Sequence, residues 1–122
     1  MVIGIGGSYL SLEFVYEALR FHPDCKKAAQ NRSLRFLANV DPIDVARALE
    51  NLNPEETLFI INSKTFTTAE TMLNARTCRA WLLKHYKDHP AKEVIAKHFC
   101  ASSCNLKACS EFGLEKANVF EF

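Results

Sequence analysis

The segment TLFIINSKTFTTAETMLNAR, residues 57–76, contains the local patterns that decide the fold of this chain. Its apolar run Leu58–Ile61 lacks alternation, which is typical of a strand covered on both faces of a parallel sheet. Thr67 and Glu70 have the spacing of a capping box, in which the glutamate reaches back to the Thr67 amide. Apolar residues then recur at helical spacing as far as Tyr86. The segment therefore predicts a buried strand, a polar loop and a helix.

The same alternation of strand and helix extends in both directions from this segment. The predicted strands are Met1–Ile5, Arg35–Val40, Thr57–Asn62, Phe99–Ser103 and Val119–Phe122. The predicted helices are Ser8–Phe21, Pro42–Leu49 with Asp41 as N-cap, Thr67–Tyr86, Pro90–His98, and Asn105–Phe112 closed by Gly113. Residues 23–32 are predicted to be a connector without regular structure. The order βαβαβααβαβ predicts an α/β fold, with a parallel sheet of about five strands flanked by helices on both faces.

Length and charge limit the function classes. A chain of 122 residues fits one domain, residues 1–122, and is too short for two ordinary ones. The net charge of +1 gives no indication of a nucleic-acid partner or an anionic membrane surface. No apolar stretch approaches the ~20 residues of a membrane span, and the start lacks the features of a signal peptide. Because both ends fall inside predicted apolar strands, we expect an excised fragment of a longer protein that functions inside the cell.

The five cysteines favour reduced, structural thiols. Their number is odd and no CxxC pair is present, so a disulfide framework is not predicted. His98, Cys100 and Cys104 could be imagined as metal ligands, but tight zinc-ligand spacing is absent. We expect no metal, and we expect these cysteines to pack as small apolar residues.

Two loops have the chemistry to bind an anion. In a parallel α/β sheet, ligands bind outside the carboxyl ends of the strands, where loops lead into helix N-termini. Gly4–Ser8 is rich in glycine, which permits a ligand to approach the backbone closely. Ser63–Thr68 places four hydroxyls and one ammonium group between a buried strand and a helix. Backbone amides and hydroxyls at a positive helix end suit a phosphate dianion.

Other interpretations of the two loops are available. A dinucleotide-binding turn needs a third glycine where Tyr9 stands, and Asp41 fits the acidic ribose position only loosely. A P-loop is excluded because no Gly-Lys-Ser/Thr follows the glycines. The glycines could also form a plain tight turn, and the hydroxyls could simply cap a helix. Four hydroxyls beside a lysine exceed what one cap requires, which favours anion binding.

Three segments resemble the glucose-6-phosphate isomerase family, in its eukaryotic cytosolic rather than its bacterial or plastid form. These are Ile3–Ser8, Phe36–Pro42 and the long, specific run Ser63–Arg76. The similarity continues through Ser103–Leu106 and Glu111–Gly113, and so covers nearly the whole chain. The resemblance implies a sugar-isomerase (SIS) domain, which agrees with the strand and helix pattern.

The resemblance also implies a function. It indicates interconversion of glucose 6-phosphate and fructose 6-phosphate in glycolysis and gluconeogenesis, by a cytosolic homodimer without metal or organic cofactor. The substrate-binding residues that it implies are Gly7, Ser8, Ser63, Lys64, Thr65, Phe66, Thr67 and Thr68. Phe66 and Thr67 are expected to shape the loop rather than to contact phosphate.

The chain also departs from the family pattern. Ser11 stands where relatives usually have glycine, and Asn62 replaces an apolar residue; Asn62 could add a hydrogen bond or loosen the strand end. Glu13, Glu70 and the four histidines do not match the family's proton-transfer motifs, so no catalytic residue is predicted and the isolated chain is expected to be inactive. Two alternatives stay open: a non-catalytic, regulatory SIS domain that binds sugar phosphates, and a nucleotide-binding regulatory module.

Overall fold

The computed structural model describes residues 1–122 and contains one sheet of five parallel strands. The strands are β1 (Val2–Ile3), β2 (Phe36–Leu37), β3 (Phe59–Asn62), β4 (Phe99–Ser102) and β5 (Val119–Phe120). Their spatial order is β2-β1-β3-β4-β5, with Val2 opposite both Phe36 and Ile60. The predicted α/β class with about five parallel strands is confirmed.

Six helices connect the strands, one more than predicted. They are α1 (Gly7–Leu19), α2 (Pro23–Ala28), α3 (Pro42–Leu49), α4 (Ala69–His85), α5 (Ala91–His98) and α6 (Leu106–Phe112), with short 3₁₀ turns at Pro54–Glu56 and Lys116–Asn118. The prediction of an irregular connector at residues 23–32 is wrong, because α2 occupies most of it. Pro23 provides a preset first helical residue, and the charges of Asp24 and Lys27 complement the two helix ends.

Of three helix ends that the sequence predicted from local signals, two form as predicted and one does not. The Asp41 carboxylate accepts a hydrogen bond from the Ile43 amide at 2.8 Å, and Gly113 closes α6 with a φ of 110°. The predicted capping box at Thr67 and Glu70 does not form. Helix α4 instead begins after Thr68, whose side chain makes no capping bond.

The outer strands are shorter than predicted. Strand β2 covers only Phe36–Leu37 of the expected residues 35–40, because β1 offers just two residues with which it can pair. The chain leaves β1 at Gly4, where the glycine-rich turn begins, so that strand cannot lengthen. Ladder length is thus set by the partner strand and not by local apolar content.

The core lies on one face of the sheet. Along β3 and β4, the buried residues Phe59, Ile61, Phe99 and Ala101 alternate with half-buried ones. The Phe59 and Phe99 rings stack at 4.8 Å. Right-handed crossovers place α3–α6 over this face, and α4 alone contributes six buried residues.

The opposite face is covered only in part. Helix α1 packs its Tyr9 and Tyr16 rings edge-on against Phe36, at 5.7 and 5.9 Å, but it buries no residue completely. A groove of about 1790 Å³ separates α1 from β1 and β3. Strand β3 is therefore less covered than its apolar run predicted, since Ile60 is only half-buried. No helix here has both the length and the apolar content that crossing a bilayer demands.

The cysteines are all free thiols, but not all of them lie in the core. Cys78 and Cys109 are buried and Cys100 is half-buried. Cys104 is exposed, and its thiol donates to the Phe122 carbonyl at 2.7 Å, so the expectation that it packs as an apolar residue is wrong. It falls one residue beyond Ser103, where the chain has already turned away from the sheet.

Candidate functional site

The order of the strands defines a crevice between β1 and β3. From β1 the chain moves outward to β2, then returns past β1 to β3 and continues to the other edge. The connections that follow β1 and β3 therefore leave toward opposite faces of the sheet, which opens a crevice at their carboxyl ends. The two loops that the sequence singled out follow these two strands, so the fold brings them side by side.

The glycine loop, residues 4–8, is built around a close approach of the backbone. A Cβ on Gly4 would lie 2.8 Å from the Ser8 carbonyl oxygen, so only glycine fits without a shift of α1. Gly6 has a φ of 58° and precedes the first residue of α1. The amides of Gly6 and Gly7 have no acceptor within the chain and lie exposed at the helix N-terminus.

The hydroxyl loop, residues 63–68, has an inward half and an outward half. The inward half consists of Ser63 and Phe66, both 3% exposed. The Ser63 hydroxyl accepts a hydrogen bond from the Phe66 amide at 3.2 Å, and the Phe66 ring packs edge-on against Phe112. These two side chains support the loop from beneath.

The outward half presents only hydrogen-bond donors and hydroxyls. Lys64, Thr65 and Thr67 are exposed, and Lys64 forms no ion pair in the structure. The Thr67 hydroxyl donates to the Thr65 hydroxyl at 2.7 Å, which leaves the Thr65 proton free for a ligand. The amides of Lys64, Thr65, Thr67 and Thr68 have no acceptor in the chain. Together with the positive end of α4, they form a surface suited to an anion.

The loop after β4 fixes the hydroxyl loop through its carbonyl groups. The Ser103 hydroxyl donates to the Lys64 carbonyl at 3.0 Å, and the Asn105 side-chain amide donates to the Thr65 carbonyl at 2.8 Å. The Asn105 side-chain oxygen also accepts from the Ala108 amide and so caps α6. The sequence analysis did not single out Ser103 and Asn105 as site residues. Their position at the carboxyl end of a predicted strand was the signal that could have found them.

Two further asparagines connect elements at the same edge. The side-chain amide of Asn62, at the end of β3, donates to the Ser8 carbonyl at 2.8 Å. The Asn74 amide, on α4, donates to the Asn39 carbonyl in the loop after β2. Of the two possibilities that the sequence left open for Asn62, the structure shows the added hydrogen bond.

The glutamates and histidines that the sequence analysis considered form no hydrogen bond with the two loops. Glu13 accepts a hydrogen bond from Tyr9, and this bond is the main cause that raises the pKa of Tyr9. Glu70 is exposed on α4. His85 and His89 are exposed and flank Tyr86 at the C-terminal end of α4, which lies at the amino edge of the sheet. The structure therefore brings the eight predicted binding residues to one edge and leaves these histidines at the other.

This combination of fold and loops defines a class of protein. A doubly wound parallel sheet with amide-lined loops at the point where the strand order reverses defines the α/β class, here with a fold of the SIS type. Comparison with known proteins then gives the family. A family profile described as Phosphoglucose isomerase matches residues 1–122.

The chain belongs to the phosphoglucose isomerase family. It is 51% identical over 120 residues to the cytosolic glucose-6-phosphate isomerase of Zea mays, covering 98% of this chain and 20% of that protein. Identity to the cytosolic 1 enzyme of Clarkia arcuata is 52% over 122 residues, covering 100% and 21%. The crystal structure of a glucose-6-phosphate isomerase from Chlamydia trachomatis is similar with a TM-score of 0.75 at 28% identity, over 99% of this chain and 21% of that one. The chain thus spans about a fifth of the length of these relatives.

Proposed function

We propose that residues 1–122 form the phosphate-binding half-site of a cytosolic glucose-6-phosphate isomerase. The complete protein would interconvert glucose 6-phosphate and fructose 6-phosphate, in glycolysis and gluconeogenesis, as a homodimer. Family membership and relatives that are named cytosolic glucose-6-phosphate isomerases support this proposal. Residues 1–122 would act as a single SIS-type domain within it.

The observation that carries the proposal is the donor surface of the hydroxyl loop. A phosphate dianion offers several acceptor oxygens and needs donors without competing acceptors nearby. The free amides of residues 64, 65, 67 and 68 meet that need, and the Lys64 and Thr65 carbonyls are engaged by Ser103 and Asn105. Lys64 and the hydroxyls of Thr65 and Thr68 would complete the phosphate site, while Thr67 would orient Thr65 and Ser63 and Phe66 would hold the loop.

The glycine loop would receive the sugar. Its free Gly6 and Gly7 amides and the Ser8 hydroxyl lie at the neighbouring strand end, and Gly7 and Ser8 line the large groove. A ligand anchored by phosphate at the hydroxyl loop would extend toward these groups. Positioning of this kind can supply a large part of a rate enhancement.

This segment would position the substrate without carrying out the proton transfer. A general base typically contributes ~10²–10⁴-fold, and neither Glu13, which interacts with Tyr9, nor Glu70, which is exposed in the first turn of α4, matches the proton-transfer motifs of the family. We therefore expect purified residues 1–122 to show no conversion of fructose 6-phosphate in a coupled assay. Clear turnover by the chain alone would contradict this assignment of roles.

A hybrid enzyme tests the function directly. Residues 1–122 would replace the matching 120 residues of the Zea mays cytosolic enzyme, which are 51% identical. We expect the hybrid to isomerise glucose 6-phosphate, because its partner segments would supply the proton-transfer groups. A hybrid that folds and binds fructose 6-phosphate without turnover would favour the alternative, a non-catalytic regulatory SIS domain. A folded hybrid that does not bind sugar phosphate would contradict both.

Replacing Thr65 tests the phosphate site within that hybrid. Thr65→Val is nearly isosteric but removes the free hydroxyl proton, and a hydrogen bond to a charged group is worth ~1.5–3 kcal/mol. We expect the dissociation constant for fructose 6-phosphate to rise by about one to two decades, measured by calorimetry.

Two controls accompany this measurement. Thr77→Val makes the same change on α4, where the hydroxyl donates only to the Leu73 carbonyl. Glu70→Gln alters an exposed side chain in the first turn of α4. Both variants should bind like the parent. Unchanged affinity in Thr65→Val, at matched fold and salt, would contradict the phosphate-site assignment.

A further inference from the structure

The turn at Gly6 and Gly7 is bonded to α1, since the Gly6 carbonyl accepts from the Tyr9 and Leu10 amides, but neither glycine has a side chain that could make further contacts. Both residues are exposed, and a Cβ built on either would meet no atom within 4 Å. Gly6 also has a φ of 58°, in a region where glycine moves freely. The position of their two free amides must therefore be fixed by neighbouring groups.

Two side chains donate to consecutive carbonyl groups at the start of α1. The Ser11 hydroxyl donates to the Gly7 carbonyl at 2.6 Å, four residues back on the same helix. The Asn62 amide donates to the Ser8 carbonyl at 2.8 Å, across 54 residues of sequence. The first bond is internal to α1, whereas the second joins α1 to β3.

Asn62 lies directly before the hydroxyl loop. It is the last residue of β3, and Ser63 begins the loop that would bind phosphate. Its own carbonyl oxygen would lie 3.1 Å from a Cβ on Gly4, so main chain and side chain of Asn62 both face the glycine loop. The Asn62 side chain also lines the large groove together with Gly7 and Ser8.

We propose that Asn62 is a positioning residue that holds the glycine loop at a fixed distance from the hydroxyl loop. This inference rests on the proposed function of those loops. The side-chain amide of Asn62 fixes the first turn of α1 against the end of β3. The backbone amides of Gly6 and Gly7 and those of the hydroxyl loop can then bind the same ligand. Without the bond, the hydroxyl loop keeps its own supports from Ser103 and Asn105, while the first turn of α1 loses its side-chain bond to β3 and the glycine loop is connected to β3 only through the β1 ladder.

Asn62→Leu, which keeps the shape and removes the amide, tests this role. Amide hydrogen exchange of the hybrid enzyme would be followed by mass spectrometry, at peptides that cover residues 1–10 and 63–70, during titration with inorganic phosphate and then with fructose 6-phosphate. In the parent, the amides of both loops should change with ligand concentration along the same saturation curve. In Asn62→Leu, the amides of residues 64–68 should still respond to the sugar phosphate, with about three- to tenfold weaker affinity, and Gly6 and Gly7 should respond much less. The hybrid enzyme carrying Asn62→Leu should show a KM raised by a similar factor.

Asn118→Leu is the matched control. The Asn118 amide likewise donates to a backbone carbonyl, that of Ala96, at 2.7 Å, but it lies before β5 at the amino edge of the sheet. A purely structural role would make the two variants behave alike, so Asn118→Leu should keep the parent affinity and the response of both loops. Parent-like affinity and glycine response in Asn62→Leu would overturn the positioning role while leaving the proposed function intact. Failure of residues 64–68 to respond in the parent would overturn both.

Discussion

Phe66 combines an unfavourable backbone conformation with a favourable buried ring. Its φ is 55°, and the left-handed region costs a residue with a side chain roughly 1–2 kcal/mol. Removing a buried phenylalanine ring typically costs about 3–5 kcal/mol, and the Phe66 ring is 3% exposed. Burial therefore outweighs strain, and the ring forces the hydroxyl loop into a shape that its own backbone would not prefer.

Substitution of Phe66 can separate the two effects. Phe66→Ala loses the ring and keeps the strain, whereas Phe66→Gly loses the ring and relieves the strain. We expect both variants to lower the free energy of unfolding, Phe66→Ala by about 3–5 kcal/mol and Phe66→Gly by about 1 kcal/mol less. Urea denaturation at neutral pH measures this. A Phe66→Gly variant as stable as the parent would show that the ring does not hold the loop.

Cys78 predicts a dependence of stability on alkaline pH. Burial on α4 raises the pKa of its thiol from 9.0 to about 12. As the pH rises above about 9, the unfolded chain loses this proton while the folded chain keeps it, so stability falls through that window and is constant below it. The slope from one such group is at most about 1.4 kcal/mol per pH unit. Denaturation midpoints at pH 7–10.5 should fall less steeply in Cys78→Ala, and parallel slopes would contradict this.

At the scale of elements, α1 and α4 differ in how they are held. Six residues of α4 are buried, and none of α1 is. Local opening costs least where few apolar contacts are broken. We expect the amides of α1 to exchange with deuterium well before those of α4, as hydrogen-exchange mass spectrometry would show. Equal protection of the two helices would mean that α1 is held by contacts beyond those to Phe36.

The predicted elements show which signals are local. Asp41 and Gly113 act through their own neighbours in sequence, so the ends that they mark could be predicted. The capping box failed because α4 begins at Ala69, so Thr67 lies one residue before the N-cap position that Thr68 occupies. The predicted strand lengths were wrong because a strand extends only as far as its neighbouring strand can pair with it.

The candidate site could be predicted in part for the same reason. The glycine loop and the hydroxyl loop both follow strands that were visible as apolar runs, so their placement at the carboxyl edge followed from the fold class. Ser103 and Asn105 were missed because their contacts require β4 to lie beside β3, which no local pattern contains. The adjacency of β1 and β3 likewise could not be predicted from a local pattern, because it depends on the strand order of the whole sheet.

At the scale of the molecule, the two faces of the sheet are unequal. One face is packed under α3–α6, and the other carries the groove and α1. Several large apolar side chains of α1 and its flank are exposed, namely Leu10, Phe14, Val15, Leu19 and Phe21. Exposed apolar surface of this extent favours association. The edge strands β2 and β5 have two residues each and offer little for pairing.

We therefore expect purified residues 1–122 to self-associate, mainly through α1 rather than through the sheet edges. Analytical ultracentrifugation over a range of concentrations would measure this. Phe14→Ser should shift the population toward monomer more than Phe120→Ser, since these side chains are similarly exposed, at 74% and 64%, but lie on α1 and on the β5 edge. A monomeric parent that melts cooperatively at moderate concentration would contradict the expectation.

The support of the hydroxyl loop by Ser103 and Asn105 has a consequence for mutational tolerance. Both bonds end on main-chain carbonyls, at Lys64 and Thr65, and so do not depend on which side chains those positions carry. New side chains at residues 64 and 65 can therefore be accommodated on an unchanged backbone. Substitutions at 103 or 105 would instead disturb the loop whatever its sequence. A saturation library selected only for folded protein should accept variety at 64 and 65 and reject it at 103 and 105.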